Sequence, residues 1–357
     1  MKIGITVTKL TLSGGMERYS LDLIAALNFE GVKPYVFTRQ FDSQLAESCE
    51  FIPVIIPVSK LWCKLAIHIF SFKLKRLKRK MGIGLMLGCN RNASSDIAIC
   101  GGTHIGYLKI FGKNQKFWDA REITLEKQLY SNAKFIIAHS LQTKKELVNY
   151  YGILSEKIRV IYPPVNHKIF KVISAQKRNE IRRANQWEEN EIVMLFPSSG
   201  HNRKGLPYIV EQMKQLPTDT NIRLVVLGKE DKRINLKNIT FKSFTNDIQS
   251  LYQAADFTIL ASEYEPFGLV GPESVLSGTP CIFSNVIGAT EVLDDYVCYK
   301  FDLKQKNSLL GLLEKIDSMK IRIQEPSKHI SYPVSRSEHL NAISRECGIE
   351  FLTDGSF

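Results

Sequence analysis

Glu265 and Glu273 are separated by seven residues on a stretch of chain that has to turn. The stretch reads Ala261-Ser262-Glu263-Tyr264-Glu265-Pro266-Phe267-Gly268-Leu269-Val270-Gly271-Pro272-Glu273-Ser274 and follows the apolar run 257–260. Pro266, Gly268, Gly271 and Pro272 oppose a regular helix between the carboxylates. Pro272 suits a first helical position, which would set Glu273 at a helix start. A carboxylate accepts two hydrogen bonds at once and so matches the vicinal hydroxyls of a ribose or hexose. Backbone N–H groups freed by the turn can hold phosphate oxygens. Two glutamates near a helix start are equally what the helix dipole favours with no ligand at all.

Three other strings carry potential chemistry. In Ser198-Ser199-Gly200-His201-Asn202-Arg203-Lys204-Gly205, two cations sit between a strand and a helix. Arg203 can fork onto a diphosphate and Lys204 can place a point charge on it, although an isolated Arg-Lys pair is also an ordinary solvated loop. In Thr11-Leu12-Ser13-Gly14-Gly15-Met16-Glu17-Arg18, adjacent glycines precede a helix. Gly14 and Gly15 would admit a ligand close to the backbone and the helix start would favour an anion, or they simply make a tight turn. The string is not G-x-G-x-x-G, so a dinucleotide site lacks its signature. His104, in Gly101-Gly102-Thr103-His104-Ile105-Gly106-Tyr107, has glycines on both sides in a loop after a strand, where a site role outweighs a structural one.

These residues need strands and helices to hold them. Short apolar, β-branched runs at 3–7, 35–38, 54–57, 97–100 and 135–138 alternate with helical patterns, and a second series follows at 193–197, 224–227, 257–260 and 280–283. Runs buried on both faces and separated by helices predict parallel sheets built from βαβ units. The paired prolines of Ile161-Tyr162-Pro163-Pro164-Val165 predict an extended connector. The expected fold is α/β: two facing, doubly wound Rossmann-like domains, 1–163 and 164–334, with a cleft between them. A charged helix is expected around 175–186, and Ser335 is expected to cap a last helix to about Cys347, with the tail 335–357 able to pack back on the first domain.

Together the strings resemble a known family. Glu265-Pro266-Phe267-Gly268…Glu273, followed by Ser277-Gly278-Thr279-Pro280, resembles the E-x7-E motif and strand entry of the group-one retaining glycosyltransferases of the GT-B fold. Gly14-Gly15 matches their N-terminal glycine loop, Lys204-Gly205 their KG element, and Ala254-Ala255-Asp256 the AAD before the motif strand. Ala138-His139-Ser140 and 161–165 resemble the end of their first domain, and Gly288 and Glu291 sit where they have a GG…E turn. The resemblance implies that Glu265 contacts the donor sugar's hydroxyls and that Glu273 binds the ribose. It implies that the amides near Gly268, Leu269 and Val270, with Lys204, hold the diphosphate, and that Ser243 and Phe244, in Ser243-Phe244-Thr245-Asn246, lie near the base. His104 resembles the family's acceptor-domain histidine beside the donor sugar. The chain departs from the pattern at Ser198-Ser199, where a GR is usual, so that Arg203 would supply the guanidinium, and at Ile287, where a second glycine is usual. With no D-x-D, no metal or other cofactor is expected beside the nucleotide-diphospho-sugar co-substrate. Retention of the donor's anomeric configuration rests on the resemblance alone.

Composition sets the remaining bounds. The chain has 357 residues, 44% hydrophobic and 24% charged, as in a globular protein. Its seven cysteines are scattered and include no C-x-x-C, which predicts reduced, mostly buried thiols and no zinc site. The N-terminus lacks a signal peptide's features and no long apolar run occurs, so a cytoplasmic location is expected. The net charge of +12 points to a polyanionic partner. No nucleic-acid recognition motif accompanies it, and no specific nucleic acid is expected. Instead, the segment 60–80 contains no acidic residue. Trp62, Leu65, Ala66, Ile69, Phe70, Lys73 and Leu77 recur at helical spacing, with Lys64, Lys75, Arg76, Lys78 and Arg79 placed largely elsewhere. A basic amphipathic helix suits either the anionic surface of the inner membrane, on its cytoplasmic face, or a domain helix with a solvated basic end. The activity that the family resemblance implies is glycosyl transfer to a glycan or lipid-linked acceptor, as in lipopolysaccharide or surface-polysaccharide synthesis. Epimerisation of a nucleotide sugar and non-enzymatic binding are the alternatives.

Overall fold

The computed structural model describes residues 1–351 except 12–13, 43–44, 46–48, 59–64 and 199. Its contacts divide the chain into two units, Met1–Pro164 with Pro333–Phe357, and Val165–Tyr332.

In the first unit the strands are β1 (Ile3–Thr6), β2 (Tyr35–Thr38), β3 (Ile52–Ile55), β4 (Leu85–Gly88), β5 (Ile97–Cys100), β6 (Phe135–Ala138) and β7 (Ile158–Val160). In the second they are β8 (Ile192–Pro197), β9 (Ile222–Leu227), β10 (Ile239–Lys242), β11 (Phe257–Leu260), β12 (Cys281–Ser284) and β13 (Cys298–Phe301). Every ladder pairing between these strands is parallel. The sheet orders are β3-β2-β1-β4-β5-β6-β7 and β10-β9-β8-β11-β12-β13. Each order reverses direction next to its first strand, between β1 and β4 and between β8 and β11. Loops leaving the carboxyl ends of such a pair frame the ligand crevice of an open α/β sheet.

The central strands are apolar on both faces because helices cover both. β1, β4, β8, β11 and β12 are buried throughout. The helices of the first unit are α1 (Gly15–Phe29), α2 (Ala66–Met81), α3 (His104–Ile110), α4 (Phe117–Asn132) and α5 (Leu141–Tyr151). The second has α6 (Ala175–Ala184), α7 (Leu206–Met213), α8 (Ile248–Ala254), α9 (Val270–Leu276), α10 (Ser308–Leu313) and α11 (Ile316–Met319).

The chain then returns to the first unit as α12 (Arg336–Cys347), capped by the Ser335 hydroxyl, which accepts the Glu338 N–H. Leu340, Ile343 and Cys347 enter the same apolar cluster as Leu23, Ile24 and Leu27 of α1, and Arg336 donates to Asp22 at 2.7 Å.

α12 also closes a buried polar cluster. His339 Nε2 lies 2.9 Å from the Tyr19 hydroxyl and its Nδ1 lies 2.9 Å from the Tyr162 carbonyl, while the Tyr19 ring packs on His139 at 4.6 Å. Burial holds His339 down to about 4 and His139, which also feels His339, down to about 3. Above pH ~6.5 both are neutral folded or unfolded. As pH falls below that value the unfolded chain takes up protons that the folded chain refuses, so stability drops until about pH 4. Unfolding free energies from urea titration at pH 7.5 and 5.5 should differ by about 1.4 kcal/mol for each histidine, and His339→Gln should flatten the slope. Equal pH dependence in the variant and the parent would refute the assignment.

Several elements differ from the sequence reading. The strand expected at 54–57 is Ile52–Ile55, shifted two residues earlier and set by its parallel register with Tyr35–Thr38. The strands β4, β7, β10 and β13 were not anticipated. α9 begins at Val270, two residues before Pro272, which was expected to open it, and so takes in Gly271. Pro272 is its third residue, within the first turn, where a missing N–H breaks no intrahelical bond. The six described cysteines are all free, and five of them are buried; Cys63 lies outside the described residues.

Candidate active site

The loops after β8 and β11 are tied to each other. Ala261 N–H donates to the Lys204 carbonyl at 3.1 Å. The approach is so close that a Cβ on Gly205 would lie 2.0 Å from the Ala261 carbonyl oxygen, and Gly205 also adopts φ +80°. The Lys204-Gly205 dipeptide therefore braces the start of the glutamate loop. A third segment supports that loop from behind. Gly288 N–H donates to the Glu265 carbonyl at 3.0 Å and Ala289 N–H to the Phe267 carbonyl at 2.6 Å. Ile287, which stands where a second glycine is usual, is fully buried and forms a β-bridge with Glu265.

On this frame the side chains converge. Arg203 Nη1 donates to Glu265 Oε2 at 2.7 Å. Lys204 Nζ donates to the Pro197 carbonyl at 2.9 Å. Burial lowers the Lys204 pKa, while the charge of Glu265, and more weakly that of Glu273, opposes the shift. Glu273, only 2% exposed, accepts a 3.4 Å bond from the Tyr252 hydroxyl. The amides of Gly268, Leu269 and Val270 find no acceptor among the described residues, since α9 begins at Val270 and its first donors have no intrahelical partner. Two cations, two carboxylates and three unengaged N–H groups thus come from the loops at the β8/β11 reversal and the first turn of α9. Such a set can hold a diphosphate and hydroxyl groups together.

Ser243 and Phe244 do not join it. They follow β10, at the sheet edge two strands from β8, and no hydrogen bond or ring contact links them to Lys204, Glu265 or Glu273 among the described residues. Ser243 lines an open cavity of about 630 Å³ with Lys177, Asn185 and Lys242, while Phe244 is 67% exposed. Ser198 Oγ accepts the Gly200 N–H and lies 3.0 Å from His201 Nδ1; Ser199 lies outside the described residues.

In the first unit Gly14 caps α1 with φ +97° and Gly15 opens the helix, with nothing within 4 Å of where its Cβ would be. His104 opens α3, whose cap is Thr103. Its Nε2 is 2.9 Å from Asp119 Oδ1 and its Nδ1 3.8 Å from Glu122 Oε2, and its N–H donates to Glu126 at 3.1 Å. Glu126 is buried and also accepts from Arg91 and Tyr151. Asp119, held below the usual carboxylate range by the Lys116 N–H and then by His104, ties this network to the start of α4. Neither Asp119 nor Tyr252 had a sequence signal, because each meets its partner only through tertiary packing.

The comparisons with known proteins agree with this architecture. Residues 177–325 match the family model for glycosyl transferases group 1, and residues 13–168 match that for glycosyltransferase family 4. A probable transglycosylase of Burkholderia thailandensis is 41% identical over 315 residues, which is 88% of this chain and 86% of that protein. Among solved structures, WaaG, a glycosyltransferase involved in lipopolysaccharide biosynthesis, superposes with a TM-score of 0.77 at 16% identity, covering 98% of this chain and 96% of WaaG. HepE of Anabaena, solved with UDP and glucose, gives 0.76 at 17% identity, covering 98% and 99%. The two sheets, their order and these matches place the chain in the group 1 glycosyl transferases of the GT-B fold.

Proposed function

We propose that the chain transfers a sugar from a nucleotide-diphospho-sugar to a glycan or lipid-linked glycan, with retention of anomeric configuration. The observation that carries this reading is the convergence of Arg203, Lys204 and Glu265 with the open amides of Gly268, Leu269 and Val270. Glu265, already oriented by Arg203, presents its carboxylate to donor-sugar hydroxyls, and Glu273 takes the ribose. Lys204 and the amides take the diphosphate. As the bond from the anomeric carbon to phosphate breaks, negative charge grows on the leaving oxygen, where preset cations and N–H groups stabilise it. The acceptor oxygen bonds to the same face and passes its proton to the departing phosphate. His104, backed by Asp119, serves the acceptor domain. No metal is invoked.

A thermal-shift screen of UDP-, GDP- and ADP-sugars in EDTA tests the donor site. A donor present at one hundred times its Kd should stabilise the protein by about 2.7 kcal/mol. Glu273→Ala should abolish the shift, and NMR of the product should show the donor's anomer. No shift with any sugar nucleotide, or an inverted product, would overturn the corresponding part. An epimerised donor formed without acceptor would favour epimerisation instead.

α2 supports a role at an anionic membrane, with lipopolysaccharide-type or other surface-glycan acceptors at its cytoplasmic face. No helix among the described residues is long and apolar enough to cross a membrane. Ala66, Phe70 and Leu74 face the domain, while Lys73, Lys75, Arg76, Arg79 and Lys80 are exposed. Lys78 is a correction: placed outward from the sequence, it reaches back to Asp96 at 2.6 Å and to the Ser94 carbonyl at 3.0 Å. Trp62 and Lys64 lie outside the described residues.

A further inference from the structure

The loop after β4 is pinned on both sides of one arginine. Asn90 Oδ1 accepts the Thr6 hydroxyl at 2.6 Å, and its Nδ2 donates to Thr8 Oγ1 at 3.2 Å. Asn92 is fully buried, donates to Thr6 Oγ1 at 3.1 Å and accepts the Ser94 N–H at 2.9 Å. Both amides fasten the loop to the end of β1, and Arg91 between them reaches the other way, to α4. Its Nε donates to Glu126 Oε1 at 2.7 Å and its Nη1 lies 3.3 Å from Glu122 Oε2. A guanidinium fork can engage two carboxylates at once, which a single ammonium point does less well.

Both of these carboxylates also face His104. Glu126 Oε2 accepts the His104 backbone N–H at 3.1 Å, and Glu122 Oε2 is 3.8 Å from His104 Nδ1. The other ring nitrogen, Nε2, is 2.9 Å from Asp119 Oδ1. Asp119 is ionised, because the Lys116 N–H and then His104 hold it below the usual carboxylate range. An ionised carboxylate only accepts, so the proton of the neutral ring sits on Nε2 and Nδ1 carries the lone pair. The groups of α5 are engaged elsewhere. Glu146 accepts the Thr103 hydroxyl at 2.6 Å, and the Tyr151 hydroxyl donates to Glu126 and accepts the Ile105 N–H. Among the described residues, Glu122 is therefore the carboxylate in range of Nδ1, and Arg91 holds the same Glu122 oxygen at the shorter distance. A gap of 3.8 Å is too long for a hydrogen bond. If Glu122 closed it, the carboxylate would hold a proton on Nδ1 and both ring nitrogens would be donors.

We propose that Arg91 is a positioning residue for His104: by holding Glu122 and Glu126 it keeps Nδ1 free of a carboxylate, as an acceptor for a hydroxyl of the substrate. The inference rests on the glycosyl-transfer reading, in which His104 stands beside the sugar. A bare nitrogen accepts the O–H and leaves the oxygen's lone pairs turned away from the ring. A protonated nitrogen would donate instead and reverse the hydroxyl.

The nitrogen NMR shifts of the imidazole read the ring directly in the resting protein, with His104 assigned by its loss in His104→Asn. At pH ~8.5, about two units above the ordinary histidine value, the parent should show a protonated Nε2 and a bare Nδ1. A protonated Nδ1 with a bare Nε2 would overturn the proposal, and that result needs no variant. Arg91→Lys keeps a cation for the buried Glu126 but cannot fork onto Glu122. At pH ~7 its Nδ1 resonance should move toward the protonated value relative to the parent, and kcat/KM should fall roughly tenfold. Adding Glu122→Gln to Arg91→Lys removes the competing charge. It should return the resonance to the parent position and kcat/KM to within about threefold of the parent. If Arg91→Lys leaves both readouts at the parent's values, or if Glu122→Gln rescues neither, Arg91 only supports the fold and the proposal falls. A parent that transfers no sugar would overturn the activity and the hydroxyl with it, while the nitrogen shifts still decide whether Arg91 sets the ring.

Discussion

Replacing Asp256 by alanine is expected to lower the unfolding free energy by about 3–5 kcal/mol. Asp256 precedes β11 and is buried, where it accepts from Arg178 at 2.8 Å, from Arg182 at 3.0 Å and from the Val193 N–H at 2.9 Å. Arg182 is itself buried, and its remaining donors go to the carbonyls of Ala254, Glu188 and Glu191. Removing the carboxylate would leave a buried guanidinium without a counter-charge, which is the costly way to break such a pair. Because the Val193 bond holds the start of β8 against the start of β11, the effect should reach the register Phe257↔Met194 and, through it, the loops at the opposite strand ends. Urea unfolding measures the loss, with a fall in Tm of roughly 10 °C for a domain of this size. Asp256→Asn, which keeps an acceptor oxygen, should lose less. A change below about 1 kcal/mol in the alanine variant would mean that the cluster is held by its carbonyl contacts rather than by its charge.

Replacing Lys204 by methionine is expected to reduce kcat by about 10²–10³-fold, with little change in Tm. The side-chain volume and the backbone bond from Ala261 to residue 204 are retained, so the glutamate loop keeps its brace. The lost element is a positive charge beside Glu265 and Glu273, which in the proposed reaction is worth most when the leaving diphosphate is most negative. A cation that acts only as charge builds up affects kcat more than donor binding. Burial lowers the Lys204 pKa, so the parent should also lose kcat/KM at alkaline pH, below the ordinary lysine range, and the variant should lack that limb. A kcat within threefold of the parent would remove Lys204 from the charge-stabilising role.

Particular residues show what was legible in the sequence. β11 and its glutamate loop were readable because a buried tetrapeptide ends abruptly in proline and glycine, and Lys204-Gly205 because a cation precedes a helix. β4 was not readable. Leu85–Gly88 is only four residues long and lies among Gly82, Gly84 and Gly88, which reads locally as a loop. It becomes a central strand because its parallel register with β1 buries it on both faces. β13 is a similar case: Lys300 interrupts its apolar pattern, and pairing with β12 overrides that local signal. At α2, helical spacing identified the buried face but misplaced Lys78, because a long side chain can fold back to a carboxylate that sequence distance does not reveal. Partners such as Asp119 for His104 and Tyr252 for Glu273 follow from packing alone.

The return of α12 has a consequence for the order of synthesis. The first unit is encoded in two pieces, and its core includes Leu340, Ile343, Cys347 and Phe351. The intervening unit, Val165–Tyr332, is continuous in sequence and can close its core before those residues leave the ribosome. The part of the protein that is translated first is therefore completed last, and until then the apolar surface of α1 around Leu23 and Leu27 waits uncovered for the end of the chain.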